Sequence, residues 1–176
     1  AEDNRKNIWI ATSNGINCID YKTKKITRFY PKSINKECTT NIINRLLKHS
    51  DGNVYAFCNR SVFKCSMNQT VETVFPDIAI PSPTYSVAQA PDKDIYIGTE
   101  SNGLYIYSEN WKLKKHVPID GIIATILPDN NGDIWLGLDE TGICLFNKNK
   151  QTFTWLHKDN TNLNNNSIRR SEERRV

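Results

Sequence analysis

The chain has 176 residues, the length of one ordinary domain or of a piece of a larger one, and enough to bury a sizeable core. Its net charge is +4, but four arginines and two glutamates fall in residues 169–176, so the body carries only about +2, evenly spread; a phosphate-binding surface, and with it nucleic acid as a partner, is not expected. No apolar run approaches about 20 residues, so no membrane-spanning helix is expected.

There are 20 Ile and 14 Thr against 7 Ala and one Met, a β-branched composition that favours strands over helices, and 21 Asn mark frequent turns. Residues Ala1 to Lys6 are polar and carry no signal-peptide pattern, which leaves the compartment open. The cysteines Cys18, Cys38, Cys58, Cys65 and Cys144 are odd in number and form no C-x-x-C pair, so neither a disulfide framework nor a zinc site is indicated. All but Cys38 lie in alternating apolar segments as small hydrophobes, and only Cys58 and Cys65, set across a short turn, are placed to pair.

In chain order, the first alternating segment is Ile8 to Thr12, which passes through Ser13-Asn14-Gly15 into Ile16 to Ile19 and, after a polar gap, into Ile26 to Tyr30. A linker, Pro31 to Thr40, leads to Ile43 to Leu47, the turn Ser50-Asp51-Gly52, and then Val54 to Phe57, Val62 to Cys65 and Val71 to Phe75. Beyond the linker Pro76 to Thr84 come Tyr85 to Ala88, Ile95 to Thr99, Leu104 to Tyr107 and Trp111 to Val117. The last set is Ile122 to Leu127, Ile134 to Leu138, Ile143 to Phe146 and Thr152 to Leu156. No stretch of a dozen residues carries a 3.6-residue apolar period, so no helix is expected.

One short pattern returns four times: Asn7-Ile8-Trp9-Ile10-Ala11-Thr12, Asn53-Val54-Tyr55-Ala56-Phe57, Asp94-Ile95-Tyr96-Ile97-Gly98-Thr99 and Asp133-Ile134-Trp135-Leu136-Gly137-Leu138. The steps between Ile8, Val54, Ile95 and Ile134 are 46, 41 and 39 residues, the period of a four-stranded propeller blade. The expected fold is therefore all-β, a β-propeller-type repeat of four-stranded antiparallel blades, about four in number, from a larger propeller. The blades are a partial one at 7–30 and full ones at 42–75, 84–117 and 122–156, with 157–168 as a linker and the start of the next. Residues 169–176 form a polar tail that does not alternate and reads as an appended end. Gly closes three of the four hairpin turns; the second blade has Asn59-Arg60-Ser61 instead, so its hairpin is expected to be the least regular.

The repeat resembles the two-component regulator propeller repeat. The last copy matches it best, through Asp129-Asn130-Asn131-Gly132-Asp133-Ile134-Trp135-Leu136-Gly137, Gly142-Ile143, Phe146-Asn147, Phe153 and the Asn-rich segment 160–167. This resemblance implies the extracytoplasmic, periplasmic sensor region of a hybrid two-component system responding to a glycan, with the rest of a sensor-kinase chain as its partner. The alternative is a structural or protein-interaction propeller without a small ligand, and a propeller lyase comes third.

Asp129, Asn131, Asp133 and Glu140 hold positions 1, 3, 5 and 12 of a calcium loop of EF-hand spacing. Ile134 stands where the sharp turn needs Gly, and a strand separates Glu140 from the others, so the expectation is a turn and no metal. His49, His116 and His157 are isolated and adjoin no nucleophile motif; no catalytic residue and no cofactor are expected. Trp9, Tyr55, Tyr96 and Trp135 share one blade position and are read as packing residues. Candidate ligand-binding residues are Asn14, Asn59, Arg60, Asn102 and Glu140, whose amide, guanidinium and carboxylate groups on loops suit an oligosaccharide. Residues from Ile168 onward either pair beside Ile8 to Thr12 and close a ring or belong to an open arc. The open arc, with self-association through exposed end blades, is the expectation.

Overall fold

The computed structural model describes residues 1–36, 38–74, 80 and 82–169; Phe75, most of the second linker and the tail 170–176 lie outside them. Strands β1 (Ile8–Thr12), β2 (Gly15–Ile19) and β3 (Ile26–Phe29) form a three-stranded sheet. After helix α1 (Pro31–Ile34), strands β4 (Arg45–Lys48), β5 (Val54–Cys58), β6 (Ser61–Ser66) and β7 (Thr70–Thr73) form a second sheet. The third contains β8 (Thr84–Gln89), β9 (Ile95–Thr99), β10 (Leu104–Tyr107) and β11 (Leu113–Val117). The fourth contains β12 (Ile123–Pro128), β13 (Ile134–Leu138), β14 (Gly142–Asn147) and β15 (Thr152–Leu156). Each sheet runs in sequence order through antiparallel hairpins, the expected blade pattern.

Three expectations need correction. A helix does occur: α1 is a single turn in the first linker, begun by Pro31, whose fixed φ suits the first helical position and whose ring is buried. The β5–β6 hairpin is regular, pairing Val54 with Cys65 through Cys58 with Ser61 without a break, whereas register shifts occur in β10–β11 and β12–β13. Asn59, at φ +52, supplies the left-handed turn residue that glycine was thought to be needed for. The same register overturns the Cys58–Cys65 pairing, because the two residues stand at opposite ends of the hairpin.

The repeated aromatic residues are equivalent. Each lies second in its strand, with Trp9 opposite Cys18, Tyr55 opposite Lys64, Tyr96 opposite Ile106 and Trp135 opposite Leu145. A carboxylate six residues earlier orients both tryptophans. Asp3 accepts the amides of Arg5 and Asn7 and the indole N–H of Trp9 at 2.9 Å; Asp129 accepts the amides of Asn131 and Asp133 and the indole of Trp135 at 3.1 Å. The Asp side chain thus closes the turn and fixes the ring.

The chain divides into two compact units, Ala1–Thr84 and Tyr85–Val176. In the first, Trp9, Ile16 and Cys18 pack against Val54, Ala56, Cys58, Phe63 and Cys65. In the second, Tyr96, Leu104 and Ile106 pack against Ile123, Ile134, Leu136, Leu138, Cys144 and Phe146. Two glycines permit close approach in the second unit, Gly98 between sheets and Gly137 under the docked segment at Ile168. A Cβ on Gly98 would stand 2.6 Å from Ile123 Cγ2, and one on Gly137 would stand 2.5 Å from both Ile168 and Thr125.

The segment at residues 166–168 repeats the start of the second sheet. Gly15 donates to Asn41 and Ile43 donates to Thr12, at 2.9 and 3.0 Å; likewise Gly142 donates to Asn166 and Ile168 donates to Leu138, at 2.7 and 2.9 Å. Asn166 to Ile168 therefore dock on the fourth sheet as the lead-in to β4 docks on the first. At the other end, Ala1 and Trp9 exchange backbone hydrogen bonds and Glu2 bridges to Ile8, giving the first sheet a short added edge.

Substituting Gly98 by Val is expected to cost about 3 kcal/mol through overpacking against Ile123. Gly132→Ala meets no atom within 4 Å but forces φ +85 on a side chain, and should cost only about 1 kcal/mol. Denaturant unfolding midpoints of the two variants check the order.

Candidate functional site

A cleft of the first unit lies at the β5–β6 turn. The regular hairpin places Asn59 and Arg60 at its tip, while the linker after α1 brings Cys38, Thr39 and Thr40 alongside; Cys58, Ser61 and Pro83 complete a cavity of about 420 Å³. Its walls are tied together locally. The Cys38 thiol donates to Ser61 Oγ at 3.4 Å, the Cys58 thiol to the Thr40 carbonyl at 3.3 Å, and the Thr84 amide to the Asn59 carbonyl at 3.2 Å. Burial, with the Cys38 side chain adjoining, pushes the Cys58 thiol up to about 12, so it is a neutral hydrogen-bond donor. Arg60 is exposed and has no hydrogen-bond or ion-pair partner among the described residues.

The five sequence candidates separate in the structure. Asn59 and Arg60 share this cleft. Asn14, in the same unit, is exposed on the β1–β2 turn and accepts a 3.3 Å hydrogen bond from Asn41 of the linker. In the second unit, Asn102 is committed to its own hairpin: its side chain accepts the Tyr105 hydroxyl at 2.8 Å and its carbonyl lies 2.7 Å from His116 Nε2. Glu140 is exposed at φ +68 on the β13–β14 turn.

A second constellation, not singled out in the sequence, lies in the second unit. Asp94, 5% exposed, receives the Lys114 amine at 2.6 Å and the Lys148 amine at 2.8 Å. Burial draws the Lys148 amine below its ordinary value. The Tyr96 hydroxyl beside them is buried without a hydrogen-bond partner among the described residues and pushed up to about 12, first by burial and then by Asp94. These groups line a cavity of about 210 Å³ with Ile106, Lys115, Phe146 and Gln151. The only signal in the sequence is an Asp at the position that holds Asn in the first two repeats.

Asp129 and Asp133 spend their oxygens within the chain, on two amides, the Trp135 indole and the Asn147 amide group, while β13 carries the chain away toward Glu140. No group of three or more His, Cys, Asp or Glu suited to a metal occurs among the described residues. His49 Nδ1 lies 3.1 Å from the Asp51 amide nitrogen and 3.0 Å from Asp51 Oδ1, contacts that close the turn.

No protein-family profile matches the chain, and no curated protein matches it. Solved structures do. The extracellular domain of BT4673 from B. thetaiotaomicron, described as a hybrid two-component system, is 20% identical with a TM-score of 0.72 over 93% of this chain and 23% of its own. The extracellular domain of BT3049 from the same organism, described likewise, is 27% identical with a TM-score of 0.66 over 84% of this chain and 21% of its own. Virginiamycin B lyase from Staphylococcus aureus is 19% identical with a TM-score of 0.65, over 88% of this chain and 53% of the lyase. The chain spans less than a quarter of these two extracellular domains. The fold is thus of the propeller type read from the repeat, and the solved structures it resembles include extracellular domains of two-component systems.

Replacing Asp129 by Ala is expected to destabilise the fold by about 1–3 kcal/mol, since two amides and an indole N–H lose their acceptor. Addition of millimolar calcium should leave the unfolding midpoint of the parent protein unchanged, whereas a rise would restore the calcium-loop reading.

Proposed function

We propose that the chain is a ligand-binding segment of an extracytoplasmic, periplasmic sensor propeller, taking an oligosaccharide at the Asn59–Arg60 cleft and passing occupancy to the rest of a sensor-kinase chain. The observation that carries this reading is the cleft itself, which joins an exposed guanidinium, without a partner among the described residues, to the side chains of Asn59, Thr39, Thr40 and Ser61 in one polar cavity. Such a set suits the vicinal hydroxyls of a sugar, which accept from guanidinium and donate to amide oxygens. Likeness to extracellular domains of two-component systems supports the sensor context. No catalytic step is part of the proposal, and no cofactor is invoked.

A second reading, an interaction propeller without a small ligand, draws on the outer faces of the first and fourth sheets. Ile8 and Ile10 are 38% and 39% exposed, although their counterparts Val54, Ala56, Ile95, Ile97, Ile134 and Leu136 are wholly buried. Trp135, Ile143 and Leu145 are half-buried where Trp9, Ile16 and Cys18 are buried. Faces of this kind are suited to stacking on another blade, and in the isolated chain to self-association.

Calorimetric titration with a panel of neutral and acidic oligosaccharides tests the first reading. One glycan class should bind saturably and lose at least about tenfold affinity in Arg60→Ala; Asn59→Gly, which keeps the left-handed turn, should weaken it with the fold intact. Binding unaffected by either change would remove the cleft from the proposal. Light scattering decides the second reading: a micromolar monomer with an intact β-sheet circular dichroism spectrum rejects association.

A further inference from the structure

Of the five cysteines, all thiols and all buried, two meet at the mouth of the cleft. Cys38 comes from the linker after α1 and Cys58 from the end of β5, so they are twenty residues apart in sequence yet both line the same cleft. Two hydrogen bonds fix their approach. Cys58 and Ser61 face each other as the last pair of the β5–β6 hairpin, and the Cys38 thiol reaches Ser61 Oγ at 3.4 Å. The Cys58 thiol in turn points at the Thr40 carbonyl, two residues beyond Cys38. Two thiols lining one cavity, each hydrogen-bonded to a residue on or beside the other's segment, need little movement to bond.

We propose that Cys38 and Cys58 are a redox pair that forms an intramolecular disulfide by exchange with a small external disulfide, locking the linker onto the β5–β6 hairpin. The inference does not depend on the identity of any cleft ligand. Cys38, 7% exposed and lining the open cavity, is the thiol a small disulfide RS–SR can reach. Its thiolate attacks one sulfur, forming Cys38–S–SR and releasing RSH after protonation. Cys58, deprotonated as it attacks, then bonds to the Cys38 sulfur and expels the second RSH. Two protein thiols are oxidised, and one external disulfide is reduced to two thiols. The high thiol pKa of Cys58 makes the second step slow near neutral pH and faster as pH rises.

The remaining cysteines provide an internal comparison. Cys18 and Cys65 are also neighbours, close enough for one to raise the other's thiol, but both are wholly buried in the core and line none of the cavities described, so a small disulfide has no route to them. Cys144 is buried in the second unit.

The test incubates the folded protein with oxidised glutathione at pH 8, quenches with acid, denatures, alkylates the remaining thiols and maps the peptides. The expected result is a mass loss of about 2 Da before alkylation, two fewer alkylated thiols than in the untreated protein, and a Cys38–Cys58 linked peptide. Cys58→Ser should instead stop at a glutathione adduct on Cys38, about 305 Da heavier, and Cys38→Ser should show neither product while retaining its circular dichroism spectrum. Five alkylated thiols in the treated parent protein overturn the proposal. So does a linked peptide that joins Cys18 to Cys65, or an adduct on Cys58 in the Cys38→Ser variant.

Discussion

A β-sheet has two faces, and only stacking on other layers hides both. Most of the described architecture answers to that constraint. Strands β5 and β9 are buried at all five positions, and their residues are apolar or small on either side, Val54, Ala56 and Cys58 with Tyr55 and Phe57, and Ile95 and Ile97 with Tyr96 and Gly98, while the one buried hydroxyl, Thr99, is hydrogen-bonded within its own turn. Strand β1 has the same sequence character but a mixed burial pattern, with Trp9 inside and Ile8 and Ile10 outside. The difference lies in what covers each face and cannot come from the local sequence.

Within that constraint, the side chains that look chemical are mostly structural. Asp3 and Asp129 close turns and hold tryptophan rings, which turns two carboxylates into fixed acceptors. Asp20 likewise closes the β2–β3 turn, though it holds no ring, and hydrogen bonds from Thr23 keep its carboxyl below the usual range. Buried apolar stacking needs the rings in one rotamer, and a charged acceptor six residues upstream achieves this by a bond that water cannot easily replace in the buried case of Trp9. The acidic pattern at positions 129 to 140 is a product of this turn chemistry.

The cleft at Asn59 shows how local and distant information combine. Asn59 and Arg60 are legible as a polar turn because they separate two alternating strands. That the turn is tight follows from Asn59 tolerating φ +52. Neither fact brings Thr39, Thr40 or Cys38 to it, since these reach the turn through a linker containing α1 and through β4 pairing with β5. Hairpin spacing made Cys65 look like the partner of Cys58 because both flank a turn in sequence; antiparallel register sets them at opposite ends. The lysines around Asp94 arrive from β11 and from the β14–β15 turn, a convergence no motif spacing encodes.

The sequence by itself determined the strand order, the repeat of the aromatic position and the β-sheet class, because these depend on two-residue alternation and on turn residues a few positions apart. Residues up to Ile168 read in sequence only as a linker and the start of a next blade; that they dock as the segment before β4 does came from the tertiary structure. Only the tertiary structure decided which thiols adjoin, which polar groups share a cavity and which apolar faces stay open. Those outcomes depend on the stacking of one sheet on another and on linkers crossing between them, and the energies that set both arise between residues tens of positions apart.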